Sequence, residues 1–253
     1  MFVINAPVAE TLELENQIFL LKIFSPEIAS VIKPGQFLNI RVSASYFPLL
    51  RRPFSVCDIT GDHFFIMFNI YGEGTKQLAR KQPGEMIDIL GPLGNGFNLS
   101  DDYDTAVIAA GGLGAAPFPY LTRMIHKDKE IITFVGGKSH ADLIKYGLVN
   151  INLSTDDGSE GYKGTVVDLL SSRLPEFSEK RIKIFGCGPN AMLRSLKELA
   201  VSNDINCEVS TECVMACGFG ICQGCPIEAA DQKDKYLLVC KDGPVFNVKD
   251  VVI

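Results

Sequence analysis

Over the first hundred residues, apolar positions come in short alternating or continuous runs separated by turn-forming pairs. Gln17 to Phe24, Gln36 to Val42, Phe64 to Tyr71 and Met86 to Leu90 are such runs, and Pro34-Gly35, Gly61-Asp62, Pro83-Gly84 and Gly91-Pro92 punctuate them. Short strands joined by frequent turns predict an antiparallel barrel or sandwich. One short helix is expected at Thr75 to Lys81, after Gly72-Glu73-Gly74. From Asp104 the pattern changes. The run Thr105 to Ala110 leads into Gly111-Gly112-Leu113-Gly114 and a helical stretch, Phe118 to His126. Ile131 to Val135 is followed by Gly136-Gly137, and Arg181 to Phe185 by Gly186-Cys187-Gly188-Pro189 and a helix from about Asn190 to Ser202. Strands that are apolar throughout are buried on both faces, and their alternation with helices predicts a parallel α/β sheet. The fold class is therefore β + α/β: a β-barrel region at 1–98, a parallel-sheet region at 99–205 and a small loop region at 206–253. No internal repeat or low-complexity linker interrupts them.

The length of 253 residues suits two or three domains. With 47% apolar and 21% charged residues the chain has the makings of a packed core and is not a disordered one. A net charge of −6 argues against a nucleic-acid partner, since a binder of phosphate backbones carries a basic patch. Met1 to Pro7 has neither a basic nor a long apolar segment of the secretory kind. Runs such as Ile18 to Leu21 fall far short of the ~20 residues a spanning helix needs. The expectation is a cytoplasmic protein with no membrane partner. There, clustered cysteines mean metal or redox chemistry more often than disulfides, and six of the eight lie after Asn206.

Cys217, Cys222 and Cys225, with Cys240 further on, form a C-x4-C-x2-C pattern plus a distant fourth cysteine. That is the plant-type spacing for a [2Fe–2S] cluster. Ligands four residues apart must wrap one side of a cluster, so the loop curls tightly. Glycines at 218, 220 and 224 allow the curl and let backbone N–H groups approach the sulfurs. A structural zinc site, which also takes four cysteines, is the competing reading, although it usually presents paired knuckles. Cys213 lacks flanking glycines and is left out of the ligand set, and Cys57 and Cys207 read as small buried residues.

Three further constellations carry chemistry. Arg51-Arg52-Pro53-Phe54-Ser55 sits at a barrel strand end, and Tyr71-Gly72-Glu73-Gly74-Thr75-Lys76 opens a short helix. A helix N-terminus offers free N–H groups to a pyrophosphate, and Arg52 adds a bidentate donor. Alone, these read equally as a solvated strand end and an ordinary turn. Gly111-Gly112-Leu113-Gly114 and Gly186-Cys187-Gly188-Pro189 end two strands of one parallel sheet, where ligand crevices form. Asp156-Asp157 is an acidic pair suited to ribose hydroxyls, or a polar turn before Gly158.

In this order, R-x-x-S, G-x-G-T and a glycine-rich α/β region, the sequence resembles the ferredoxin–NADP reductase superfamily. With the C-terminal cysteines it resembles the electron-transfer subunits of the NAD-linked dihydroorotate dehydrogenases. Gly91 to Phe97, Ala110 to Pro117, Thr155 to Ser159 and Glu212 to Cys225 match as well, so the resemblance covers nearly the whole chain. It implies an FAD-binding barrel (1–98), an NAD-binding domain (99–205) and a [2Fe–2S] domain (206–253). FAD would be held by Arg52, Pro53, Phe54, Ser55, Asn69, Ile70, Tyr71, Gly74 and Thr75. NAD(H) would be held by Gly111, Gly112, Gly114, Asp156, Asp157, Cys187 and Gly188, and the cluster by Cys217, Cys222, Cys225 and Cys240. A hydride donor delivers two electrons together and a cluster takes one at a time, so the flavin belongs between them and no acid–base residue is required. The implied partner is an FMN-containing catalytic subunit that oxidises dihydroorotate in pyrimidine (UMP) biosynthesis, in a heterotetramer of two of each chain. Met215, Phe219 and Ile221 are the expected exposed contacts. Alternatives are a flavin/iron–sulfur reductase subunit of a sulfhydrogenase or a ferredoxin-linked transhydrogenase, and, in another class, a redox-sensing or zinc-stabilised module.

Overall fold

The computed structural model describes residues 1–43 and 45–253. Strands β1 (Phe2–Glu13), β2 (Ile18–Phe24), β3 (Phe37–Arg41), β4 (Arg52–Thr60), β5 (His63–Asn69) and β6 (Met86–Leu93) form a closed barrel in the order β1-β2-β5-β4-β3-β6. Closure comes from β1, which pairs with β2 along one edge and with β6 along the other, from Phe2↔Gly91 to Pro7↔Met86. All pairings are antiparallel, as the sequence pattern predicts. Inward positions such as Leu21, Ile23, Leu38, Ile40, Ile66 and Ile89 build one apolar core. Helix α1 (Pro26–Ala29), capped by the Ser25 hydroxyl accepting from the Ile28 N–H, follows β2. Helix α2 (Glu73–Leu78) lies in the connection from β5 to β6 and starts and ends earlier than the sequence suggested.

The second sheet contains β7 (Thr105–Gly111), β8 (Glu130–Gly137), β9 (Ile151–Thr155), β10 (Tyr162–Lys163), β11 (Ile182–Cys187), β12 (Asn206–Ser210) and, after the hairpin β13 (Pro226–Glu228) and β14 (Tyr236–Leu238), β15 (Val245–Asn247). Its order is β10-β9-β8-β7-β11-β12-β15, parallel except for β15. Helices α3 (Phe118–Met124), α4 (Val166–Arg173) and α5 (Asn190–Ser202) lie in the crossovers. The sequence boundary at 205/206 falls between α5 and β12, so the cysteine-bearing segment begins and ends with strands of this sheet. The barrel and sheet meet at α3. Tyr120 is buried in the barrel core and its hydroxyl donates to the Ile32 carbonyl at 2.9 Å, while Arg123 pairs with Asp58 of β4. Among the described residues no helix is long and apolar enough to cross a membrane.

Candidate functional site

A cleft of about 470 Å³ lies where barrel, sheet and C-terminal segment meet. Arg52, Pro53, Phe54 and Ser55 form one wall, at the start of β4. Asn69 ends β5, Tyr71 follows in the turn into α2, and Gly74 and Thr75 lie in the first turn of α2, completing that side. Ile70, between them, is an exposed neighbour that does not line the cleft. Tyr71 is 93% exposed, so it is not a half-buried strand aromatic; its ring stands free at the cleft mouth. The Thr75 hydroxyl accepts from the Tyr71 and Gly72 N–H groups at 2.9 and 3.2 Å, which pins the turn. Gly74 lies against Arg52: a Cβ there would sit 3.3 Å from the guanidinium Nε. The opposite wall is Leu113, Ala116, Pro117 and Cys187, and the floor includes Ser210 to Cys213 and Met215. Burial and the charge of Glu212 push the Cys187 thiol far up. Glu212 is reached by solvent through the cleft, yet the surrounding protein raises its carboxyl above the usual range.

A second cleft of about 530 Å³ opens at the C-terminal ends of β7, β8 and β9. Gly111, Gly112 and Asp156 line it, joined by Lys138, Asp142 and Thr165, which sequence reasoning missed. Gly114, Gly188 and Asp157 do not. Gly114 serves close approach, because a Cβ there would lie 2.3 Å from the Cys187 carbonyl oxygen. Gly188 packs in the same way, its missing Cβ leaving room for Met192 Sδ. Asp157 turns its carboxylate to its own loop, where Oδ1 accepts from the Ser159 N–H at 2.8 Å. Leu113 lines both clefts and so joins them.

The cysteine loop packs on the outer face of β3. Leu38 and Ile40 point into the barrel, while Phe37 and Asn39, on the other face, are buried against the loop. Neither was picked out from sequence, because an outward strand position reads as solvent-facing until its cover is known. Gly218 and Gly220 take φ of +80° and +91°, the left-handed region where glycine carries no Cβ penalty. Backbone N–H groups face the sulfurs: Cys222 to Cys217 Sγ at 3.5 Å, Gly224 to Cys222 Sγ at 3.4 Å and Cys240 to Cys225 Sγ at 3.5 Å. Burial works to raise the Cys217 thiol, but the N–H groups of Cys222, Phe219 and Ile221 and the Cys222 side chain outweigh it and bring it to about 6. The Cys225 and Cys240 sulfurs lie 3.1 Å apart, buried with Phe37, Leu93, Met215 and Phe246. Among the described residues no three His, Cys, Asp or Glu side chains converge on a single-ion position. The four expected ligand thiols fall instead into an outer pair, Cys217 with exposed Cys222, and an inner pair, Cys225 with Cys240, and Cys213 stands beside Cys225. Ile221 is 75% exposed and Phe219 partly so; Met215, expected at the surface, is buried, because it fills the space between cleft and inner thiols.

Comparison with known proteins bears on this arrangement. A family model described as the iron–sulfur cluster binding domain of dihydroorotate dehydrogenase B matches residues 212–252. The dihydroorotate dehydrogenase B (NAD(+)) electron transfer subunit of Caldanaerobacter subterraneus subsp. tengcongensis is 36% identical over 222 residues, 87% of each chain. That of Bacillus velezensis is 34% identical over 252 residues, 95% of each chain. A solved NADH-dependent reduced ferredoxin–NADP oxidoreductase superposes with a TM-score of 0.84 at 25% identity, over 98% of this chain and 89% of the other. A ferredoxin–NADP+ reductase from Neisseria gonorrhoeae shares the fold, with a TM-score of 0.64 at 16% identity over 79% of this chain and 91% of the other.

Proposed function

Because the chain belongs to the family of dihydroorotate dehydrogenase B (NAD(+)) electron transfer subunits, we propose that it carries electrons between NAD(H) and an FMN-containing dihydroorotate dehydrogenase catalytic subunit, in the building of pyrimidine nucleotides. The first cleft suits FAD. Arg52 stands against the glycine at 74, where a diphosphate would need both a cation and open backbone, and Tyr71 offers a free ring face. Ser55, Phe54 and Pro53 wall the apolar part, with Asn69 and Thr75 shaping the turn beside it. Ile70 borders this wall without entering it. The loop's donor set suits a [2Fe–2S] cluster: four cysteines in two pairs, with N–H groups on their sulfurs. When bound, FAD supplies the exchange between paired hydride electrons and single electrons, and the cluster supplies the one-electron relay.

The chain's own residues fix the order of traffic. The second cleft holds the dinucleotide between the glycine turns at 111–112 and 136–137, with Asp156 at the ribose. An acidic residue there disfavours a 2′-phosphate, so NADH is preferred to NADPH. Asp157, Gly114 and Gly188 contribute by shaping the turns rather than by lining the cleft. Buried Cys187 closes the wall between the dinucleotide turns and the flavin cleft. The observation that carries the reading is the shared wall: Phe37 and Met215 line the first cleft and pack against the inner thiol pair. The partner docks over the outer pair and Ile221, as a heterotetramer of two of each chain.

Anaerobically purified protein is expected to contain FAD together with iron and acid-labile sulfide in equal amounts, and NADH should bleach its flavin band. A colourless protein holding zinc alone overturns the reading. The whole-chain likeness to an NADH-dependent reduced ferredoxin–NADP oxidoreductase favours a second reading, the same relay serving another partner. Identification of the co-purifying subunit separates the two.

A further inference from the structure

Asn39 lies on β3, opposite Pro53 of β4 and Leu90 of β6, and is fully buried. Its neighbours Leu38 and Ile40 fill the barrel; its own side chain leaves by the other face and meets the cysteine loop. There Nδ2 donates to the Cys217 carbonyl at 3.3 Å, across 178 positions of sequence. The loop backbone lies directly on the amide, since a Cβ on Gly218 would be 2.6 Å from Nδ2. Among the described residues the amide oxygen, buried with it, has no hydrogen-bond partner. A buried amide with one end unpaired costs stability that an apolar side chain would avoid, so its retention asks for a reason.

The strand beneath it is braced. Pro53 has no N–H to offer across the ladder. Arg51 instead sends Nη1 to the Asn39 carbonyl at 3.3 Å and to the Asp88 carbonyl at 3.1 Å. Its Nη2 grips both Asp88 carboxylate oxygens at 2.7 and 2.8 Å. The loop's other side-chain hydrogen bonds close on itself, as between Gln223 Nε2 and the Gly220 carbonyl at 2.8 Å. Asn39 thus holds the 217–225 stretch from the barrel, while the neighbourhood of Cys240 is held separately by Asn95, whose Nδ2 donates to the Lys241 and Asp242 carbonyls at 3.3 and 2.8 Å.

We propose that Asn39 is a positioning residue for the cluster, its side-chain amide fixing the Cys217–Gly218 peptide and, through it, the run of N–H groups that face the Cys217 sulfur. The peptide it holds is the first of the curl that brings the Phe219, Ile221 and Cys222 N–H groups onto that sulfur. Hydrogen bonds to ligand sulfurs favour the reduced, more negative cluster, so loosening the curl lowers its reduction potential. The inference rests on the cluster reading above.

The test uses the full chain with Asn39→Leu, which keeps the volume and removes the donor, and Asn39→Ser, which retains a shorter donor. Redox titration followed by electron paramagnetic resonance is expected to show the Asn39→Leu cluster shifted to more negative potential with an altered line shape. Asn39→Ser should lie between it and the parent, while FAD content and NADH-driven ferricyanide reduction stay at the parent level. Hydrogen exchange at residues 218–222 should speed up in Asn39→Leu. Loss of iron with FAD retained in either variant also supports the assignment. Unchanged potential and line shape in Asn39→Leu overturns it. So does joint loss of FAD and iron in both variants, which makes the residue a barrel support. Parent protein without iron would instead sink the cluster reading itself.

Discussion

Eight thiols share this chain, and their surroundings spread their acidity widely. Burial pushes Cys57, Cys187 and Cys207 far above the ordinary thiol range, whereas loop N–H groups overcome burial and bring Cys217 to about 6. Only the thiolate alkylates at an appreciable rate. Iodoacetamide labelling of cluster-free chain, read by peptide mass spectrometry, should therefore mark Cys217 at pH 7 while Cys57, Cys187 and Cys207 stay unlabelled. Its rate should fall about tenfold between pH 7 and pH 5, as the pH drops through that value. A Cys217 rate that is flat over that range contradicts the N–H cradle. Gly114 gives a second test at this scale. A methyl group there would meet the Cys187 carbonyl oxygen at 2.3 Å, and that oxygen is backbone and cannot swing aside, so Gly114→Ala must separate two strand-end turns. A loss of about 1–3 kcal/mol in urea denaturation is expected, together with weakened NADH binding. The clustering of Cys217, Cys222, Cys225 and Cys240 and the glycine turn at 111–112 were legible because residue type and spacing alone restrict them, whereas Gly114 and Gly188 serve close packing and not the cleft lining expected of them. Asn39 and Phe37 were not: their significance comes from a loop some 180 positions away that covers the outer face of β3.

Elements show the same division. Every expected barrel strand formed, because alternation sets which face is buried. Helix α4 and strands β9 and β10 were passed over. Val166-Val167 at the start of α4 reads as strand by propensity, and the deciding signal was the capping box, in which Thr165 and Asp168 satisfy each other's N–H groups. Strand β12 was assigned to the cysteine segment because composition changes there, although hydrogen bonding carries the sheet through it. A buried lysine explains how that sheet stays attached to the barrel. Lys183 on β11 has no exposed side chain and reaches Asp101, Glu208 at 3.1 Å and the Asn98 carbonyl at 2.8 Å, gathering the segment that leaves the barrel. Burial works to raise the Asp101 carboxyl, but the hydrogen bond and charge of Lys183 outweigh it and leave it below the usual range. An acid depressed in this way adds stability that is complete above its unfolded value of about 3.9 and drains as pH falls through the folded one. Lys183→Met strands two carboxylates and should cost about 3 kcal/mol at pH 7. The deficit should shrink in urea denaturation at pH 3, where Asp101, deprived of the lysine, takes up its proton; a deficit that does not change with pH would place the loss in packing alone.

Across the whole molecule the two clefts and the loop lie in series, and the series makes a directional prediction. The second cleft touches the first at Leu113, and the first cleft touches the inner thiols through Phe37 and Met215. The outer pair lies beyond, with Cys222 exposed. With the dinucleotide in the second cleft and the flavin in the first, as proposed, flavin reduction by NADH needs the first junction only, and delivery to a partner needs both. Cys222→Ser replaces a proposed ligand on the solvent side without disturbing either cleft, as its side chain lines neither. Stopped-flow bleaching of the flavin by NADH should proceed in this variant within about twofold of the parent rate. Dihydroorotate-dependent NAD+ reduction in the complex with the catalytic subunit should fall by at least a hundredfold (roughly 3 kcal/mol of lost transfer). If both rates fall together while FAD remains bound, the loop supports the clefts structurally and the serial order is wrong. If neither falls, electrons leave the flavin by a route that bypasses the cysteines, and the inner wall of Phe37 and Met215 is only packing.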